Sequence, residues 1–537
     1  MSHGFSSFDY IVVGAGSAGC VLAARLTEDP HTRVLLLEAG GPDSAREVHI
    51  PAAFSRLFQG PLDWNYSTEP EPHLHNRRLY WPRGKMLGGS SSLNAMIYVR
   101  GARADYDHWR DLGNPGWGFD DVLPYFKKSE ANSRSSQDSP DSRRFSGNHG
   151  TSGPLSVTDA RYVNPLTRAF LAAAECLGIP PNDDFNGPTQ DGAGLYQVTQ
   201  RQGRRHSAAD AFLRPAMRRP NLSVKMRALA ARVLIERGRA AGVEYRQGGS
   251  LHQARAEREV ILAGGTVNSP QLLLLSGIGP AAGLARAGVG VVHDLPGVGK
   301  NLQDHPMVST GYLCTKPVSM ASAESLPNLL RYVLWKRGPL ASNVAEAGAF
   351  LRSREGLDRP DLQILFGPAY YVKHGLKRRK DHCFGFGPTV IAPASRGEIG
   401  LRSSDPGDAP AIRANYFAEE SDLQTLIEGV RFARRLAETK SFDSYRGAEL
   451  HPGSSVTTDA EIAEFIRNEA ETLYHPVGTC KMGADAMAVV DARLCVRGVK
   501  ALRVADASIM PRIPAGNTNA PAMMIAEKAA DMIREGS

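Results

Sequence analysis

None of the six cysteines (Cys20, Cys176, Cys314, Cys383, Cys480 and Cys495) belongs to a CxxC pair. Their scatter excludes a disulfide-stapled fold and a thiolate zinc site, and it fits reduced thiols in the cytosol. No metal is expected. No apolar run approaches the ~18 residues that would cross a membrane. No charged-then-apolar leader precedes Phe8, where a strand-like run begins. Repeats and long low-complexity tracts are also missing. So is any dense basic tract: 63 Lys and Arg against 56 Asp and Glu leave a net charge of +7 over 537 residues, which points away from a nucleic-acid partner. Two basic patches remain, Arg331–Arg337 and Lys373–Lys380. We read them as solvated faces, with contact to an anionic membrane surface as the alternative. The expected location is the cytoplasm, with peripheral membrane contact as its variant.

What is present is a chain of ordinary globular composition, 42% hydrophobic and 22% charged, long enough for two domains and a core that encloses a dinucleotide. It opens as strand, turn, helix, strand. Phe8–Val13 is an apolar β run, Gly14–Gly19 a glycine turn, Cys20–Glu28 a helical stretch and Arg33–Glu38 a second buried strand. Asn132–Gly153, rich in Ser, Asp, Asn and Gly, reads as an exposed loop. Asn221–Glu244 reads as strands with a turn near Gly238, and Glu259–Gly265 as a strand ending in glycines. A helix is expected from Ser269, with Pro270 in its first turn. The end returns to a strand at Ala501–Ala505, a loop over Asp506–Thr518 and a helix over Ala520–Arg534.

Gly14-x-Gly16-x-x-Gly19 sits between strand and helix. Gly14 permits the tight turn, Gly16 lets the backbone approach a pyrophosphate, and Gly19 lets helix and strand pack closely. The helix N-terminus then presents free N–H groups and a positive dipole end to phosphate. Glu38 ends the second strand 24 residues after Gly14, where a carboxylate accepts from a ribose hydroxyl and repels a 2′-phosphate. This motif does not separate FAD from NAD, but it disfavours NADP. A second glycine cluster, Arg83-Gly84-Lys85-Met86-Leu87-Gly88-Gly89-Ser90-Ser91-Ser92-Leu93-Asn94-Ala95-Met96, can wrap a flat heterocycle; a plain Gly/Ser turn is the alternative.

Two of the fifteen histidines stand out. His475, in Tyr474-His475-Pro476-Val477-Gly478-Thr479, lies among aromatic and small residues, where burial would keep it neutral and able to accept a proton; a structural role, the commoner one for a lone histidine of this kind, is the alternative. His305, between Asp304 and Pro306, reads as a structural hydrogen-bonding residue. Asn517 and Asn519 suit a helix N-terminus.

The combination resembles the glucose–methanol–choline (GMC) oxidoreductase family, in its bacterial branch of choline, alcohol, polyethylene glycol and sorbose dehydrogenases. The resemblance rests on the fingerprint, on Gly84–Asp107 with its GGSSSLN core, and on Gly265–Gly279. It rests also on the Asn-Leu-x-Asp-His, His-Pro-Val-Gly-Thr-Cys and Asn-Thr-Asn-Ala-Pro elements. It implies FAD and an α/β (overall α+β) fold. A Rossmann-like FAD domain would be assembled from 1–156, 221–305 and 478–537. A substrate domain with a mixed or antiparallel sheet and helices would take 157–220 and 306–477. It implies His475 as catalytic base and Asn517 as its active-site partner. FAD contacts would come from Gly14, Gly16, Ser17, Ala18, Gly19, Glu38, Ala39, Arg83, Leu87, Gly88, Gly89, Ser90, Asn94, Ala95, Met96, Ala230, Asp506, Ala507, Thr518 and Asn519. Relatives that tether FAD carry a histidine where this chain has Leu93, so non-covalent FAD is expected. The expected reaction is oxidation of an alcohol to an aldehyde or ketone, His475 taking the hydroxyl proton and flavin N5 the hydride, with a quinone or other carrier as acceptor. The alternatives are an oxygen-using oxidase, an FAD-dependent lyase on the same scaffold, and a non-catalytic flavoprotein or NAD-binding module. Ser342–Phe350 is expected on the substrate side, where Glu346 could attract a cation or serve a structural ion pair.

Overall fold

A computed structural model describes residues 6–536 except 137, 138, 140, 141, 146 and 378. β1 (Ser6–Val13) and β2 (Val34–Glu38) are apolar because both their faces are covered: Ile11, Val12 and Val34–Leu36 have no exposed surface. Each such side chain contributes about 1.5–3 kcal/mol by leaving water. α1 (Ser17–Leu26) connects them, and they pair in parallel from Tyr10↔Val34 to Val13↔Leu37. Parallel neighbours then come from distant parts of the chain. Leu222–Met226 flanks β2, Ser250–Leu262 flanks β1, and Leu502–Val504 joins the C-terminal half of Ser250–Leu262. An antiparallel arm (Leu229–Glu236, Arg239–Gln247 and the start of Ser250–Leu262) extends this sheet, turning at Gly238 with φ +72°. The α/β class expected from the sequence holds.

A second sheet is antiparallel from edge to edge. Its order is Arg446–His451, Thr310–Cys314, Cys383–Val390, Leu362–Gly367, Ala347–Leu351 and Gly192–Leu195. Helices Pro165–Cys176 and Glu420–Glu438 cover one face through a cluster that includes Phe170, Phe366, Phe384 and Phe442. Leu365, Gly385 and Gly387, at alternate positions, border a long cavity between the two sheets.

Two expectations need correction. The 132–153 segment, of which 137, 138, 140, 141 and 146 lie outside the described residues, is exposed at Ser133, Arg144, Gly147, Thr151 and Ser152 but not throughout: His149 is buried between Glu130 (2.9 Å) and Asp184 (2.9 Å), and Arg100 joins the same cluster. His149 pairs with carboxylates from outside the segment, so its polarity does not signal exposure. The helix assigned to Ser269 begins at Gly265 and runs to Leu275, which places Pro270 inside it. Proline cannot donate to the Thr266 carbonyl one turn back. The Thr479 hydroxyl satisfies that carbonyl instead (2.6 Å), and the Thr266 hydroxyl donates to the Pro476 carbonyl (2.7 Å). The missing helical bond thereby anchors the loop that carries His475.

Candidate active site

The cavity encloses about 2350 Å³ including its mouth, and its two ends differ in chemistry. At one end the carboxyl ends of the parallel strands converge, the position at which open α/β sheets bind ligands. Gly14 follows β1 with φ +102°, and a Cβ there would lie 2.6 Å from the Ala263 carbonyl oxygen. A Cβ on Gly19 would lie 1.7 Å from the Gly14 oxygen, so helix and strand touch through these two residues. A Cβ on Gly16 would meet nothing within 4 Å. α1 starts at Gly16 with no side-chain cap and no acid in its first turn. Its free N–H groups thus border open space with unopposed positive polarity. The final helix, Asn519–Glu535, also starts at the cavity without a side-chain cap, and Ser17 Oγ donates to Asn519 Oδ1 (2.7 Å). Glu38 is buried at the end of β2 and accepts from the Ala15 and Gly40 N–H groups (2.8 and 2.7 Å). Burial pushes its pKa up to about 7.

Most of the expected contact residues meet here. Gly14, Gly16, Ser17, Ala18, Glu38, Ala39, Arg83, Gly89, Ser90, Asn94, Ala95, Met96, Ala230, Asp506, Ala507, Thr518 and Asn519 line the cavity. Gly19, Leu87 and Gly88 lie behind the wall. Leu87 is in the core, and the Gly88 N–H donates to the Ala15 carbonyl (2.7 Å), tying the second glycine cluster to the first. Gly88 and Gly89 both have positive φ, and a Cβ on Gly89 would lie 2.7 Å from Gly16 Cα, so only glycine permits this approach. An elongated anionic cofactor with a ribose and a flat ring fits this set: uncapped N–H groups, a buried carboxylate and a glycine-lined slot.

At the other end His475 Nε2 lies 3.2 Å from Asn517 Nδ2, and His475 Nδ1 lies 3.0 Å from His305 Nδ1. With the amide nitrogen turned to the ring, Asn517 donates to Nε2, and the imidazole proton then sits on Nδ1, donated to His305. Burial, then His305, then the Arg83 guanidinium hold His475 well below the usual histidine pKa. Burial pushes His305 down to about 3. Asp304 fixes the backbone: it accepts the His475 N–H (2.8 Å) and the hydroxyls of Thr472 and Tyr416. Asn517 Oδ1 is buried without a partner. Three non-glycine residues with positive φ line the cavity: Met96 (60°), Val344 (71°) and Tyr474 (69°). Backbone strain of this kind persists where surrounding packing imposes it, commonly at functional sites.

The sequence reading placed His305 as structural, gave Asp304 no role of its own, and did not name Phe54, Phe58 or Tyr371, all of which the fold brings to the base or to the cavity wall. The Asn-Leu-x-Asp-His element was the available signal for Asp304 and His305. Of Ser342–Phe350, Val344 and Ala345 reach the cavity. Glu346 does not; it is buried and accepts from the Asn164 N–H and the hydroxyls of Thr167 and Ser342 (2.8, 2.6 and 2.6 Å). Its cation-attracting role is therefore withdrawn. Among the described residues no His, Cys, Asp and Glu group could hold a metal.

Taken together, the strand ends and the uncapped helices define a Rossmann-type dinucleotide-cofactor enzyme. The GMC oxidoreductase N-terminal and C-terminal families match residues 8–307 and 393–526. The chain is 46% identical over 540 residues to an alcohol dehydrogenase [acceptor] of Pseudomonas putida, covering 98% of this chain and 95% of that protein. It is 45% identical over 532 residues to an oxygen-dependent choline dehydrogenase of Brucella ovis, covering 98% and 95%. The crystal structure of pyridoxine 4-oxidase from Mesorbium loti superposes with a TM-score of 0.89 at 32% identity, covering 98% of this chain and 99% of that one. The chain belongs to the GMC oxidoreductase family. It is accordingly an FAD-dependent oxidoreductase acting on CH–OH donors.

Proposed function

We propose that this enzyme oxidises an uncharged alcohol with an apolar tail, with His475 as the base and Asn517 beside it, and passes the electrons to an acceptor other than oxygen. The observation that carries the reading is the neutral Nε2 of His475, buried at the apolar end of the cavity with an amide donor 3.2 Å away. One hydroxyl can meet both groups. Its proton goes to His475 Nε2, and its oxygen accepts from Asn517 Nδ2, a contact that strengthens as negative charge builds. The imidazolium so formed keeps its Nδ1–H bond to His305. When bound, FAD would supply the two-electron, hydride-accepting chemistry. The residues lining the uncapped helix starts and Glu38 would hold its nucleotide half, and Ser90, Asn94, Ala95, Met96, Thr518 and Asn519 its ring. We assign the cofactor domain to 1–156, 221–305 and 478–537 and the substrate domain to 157–220 and 306–477, because the two sheets draw on these stretches.

The substrate class follows from the wall. Phe54, Phe58, Val344, Leu365, Tyr371 and Leu473 make it apolar. No Asp or Glu lines this half among the described residues; Glu38 and Asp506 belong to the nucleotide half. Among the described residues the charged side chain on the cavity wall that acts on His475 is the Arg83 guanidinium, which repels a quaternary ammonium. Aliphatic or aryl primary alcohols should therefore exceed choline in kcat/KM by at least tenfold, about 1.4 kcal/mol of transition-state binding. Anaerobic mixing with such an alcohol should bleach the flavin absorbance. A lyase or an idle flavoprotein leaves it unchanged.

A further inference from the structure

The Leu326–Trp335 helix carries apolar residues at 326, 329, 330, 333 and 334, the spacing of a core-facing stripe. Here the stripe faces solvent. Leu326 is 68% exposed, Leu334 63% and Trp335 63%; Tyr332 alone is buried. Of fourteen large apolar side chains exposed among the described residues, six fall on these ten positions, so the patch is not the scatter that any surface shows. Basic groups frame it. Arg331 and Arg337 are exposed, and Lys336 packs over the Tyr332 ring at 5.0 Å. A second arm carries exposed Leu376 with Lys373, Lys377, Arg379 and Lys380; Arg378 lies outside the described residues. The neighbouring acids are engaged: Glu324 pairs with Arg56, and Asp381 with Arg379.

Both arms rest on one turn, Pro51–Leu57. Tyr332, Ala323 and Leu340 pack with Ile50 and Ala52, while Gly375 lies against Ser55 and Tyr371 packs on Phe54. The inner side of this region supplies Phe54 and Phe58 to the cavity wall, and the chain leaving the helix reaches the cavity at Val344.

We infer that the Leu326–Trp335 helix and the Lys373–Lys380 arm form a docking face by which the enzyme lies on an anionic lipid bilayer, with the mouth of its cavity toward the membrane. An apolar stripe rimmed by cations and ending in tryptophan matches the boundary between headgroups and acyl chains. A second copy of the chain fits less well, because a twofold contact would bring Arg331 and Arg337 of both copies together. The docking itself does not depend on the activity; only the idea that apolar alcohol and quinone arrive from the bilayer rests on the function proposed above.

The test uses the full FAD-loaded protein with phosphatidylcholine vesicles made with or without phosphatidylglycerol. Sedimentation should show binding to the anionic vesicles that weakens with salt. Leu330→Ser, Leu334→Ser and Trp335→Ser combined should lower the partition coefficient by at least about tenfold. Arg331→Gln and Arg337→Gln should each lower it about fivefold. Oxidation of a soluble alcohol with a soluble dye should stay within about twofold in all of them, because none touches the cavity. The Trp335 contribution to fluorescence, taken as wild type minus Trp335→Phe, should shift to the blue on the vesicles. Equal binding by parent and variants, or no shift, overturns the inference. So does a dimer in light scattering that the serine variant dissolves. Loss of dye-linked activity without vesicles would strike the proposed function and leave the docking face standing.

Discussion

His475 and His305 stand 170 positions apart in the chain and share one hydrogen bond. A single proton lies between their Nδ1 atoms, so the pair stays neutral as a unit and points one lone pair at the cavity. His475→Ala should retain FAD, whose nucleotide half is held elsewhere, and lose about 10²–10⁴-fold in flavin reduction rate. Asn517→Ala removes one hydrogen bond to the developing charge and should cost less, about 10–100-fold. Stopped-flow reduction within a few-fold of the parent for His475→Ala would end the assignment. The pH profile adds an independent check. A base must be unprotonated to act, and burial, His305 and Arg83 all lower the pKa of His475 below 6.5. The reduction rate should therefore stay level as pH falls from about 8 to about 6 and drop only below the ordinary histidine range. An acidic limb centred at 6.5 or above would mean that His475 is not the group titrating.

The glycine turn separates two functions that one motif usually hides. Gly19 is a packing residue: its Cβ would sit 1.7 Å from the Gly14 oxygen, which belongs to backbone and cannot swing away. Gly19→Ala should destabilise the fold by about 1–3 kcal/mol and lower the thermal midpoint. Gly16 has open space on that side. Gly16→Ala should keep its thermal midpoint as apoprotein yet bind FAD at least about tenfold more weakly, because the added methyl occupies the approach to the pyrophosphate. Thermal melts with and without FAD, beside the bound-flavin absorbance, distinguish the two. The 89–92 turn bears on the cofactor in another way. Leu93 follows it, buried against Phe54, Phe58 and Met86 and lining the cavity, with no nucleophile to bond to a flavin. Acid precipitation should leave the yellow colour in the supernatant. Colour retained in the pellet would show a covalent link.

At the scale of the molecule the open question is where the electrons go. Names among the relatives point both ways, one to an unspecified acceptor and one to oxygen. The docking face inferred above, if it meets a bilayer, favours an acceptor that lives there. Enzyme reduced anaerobically by its best alcohol should reoxidise faster with a soluble quinone than with air-saturated buffer. Faster reoxidation by air would reassign the acceptor and leave alcohol oxidation intact. Among the described residues no helix is long and apolar enough to span a membrane, so contact with one would be at its surface.

Much of this was legible in the linear chain because it is local. β1, α1 and β2 announce themselves by a continuous apolar run, a glycine spacing and an acid at a set distance, since a parallel strand buried on both faces has no polar positions to alternate with. The family resemblance, not the residues alone, put His475 and Asn517 forward as a pair. Other features depended on contacts that cross hundreds of residues. Only the tertiary structure could turn His305 from a hydrogen-bonding residue into the one that sets the His475 tautomer, because the aspartate that clamps the His475 backbone is its own chain neighbour. Only packing could show that Glu346 is consumed by Asn164, Thr167 and Ser342, or that Pro270 frees a carbonyl for Thr479. The Leu326–Trp335 stripe makes the same point in reverse. Its spacing specifies an amphipathic helix by itself, but spacing cannot say which medium the apolar side meets, and that was decided by a fold that leaves the stripe facing outward.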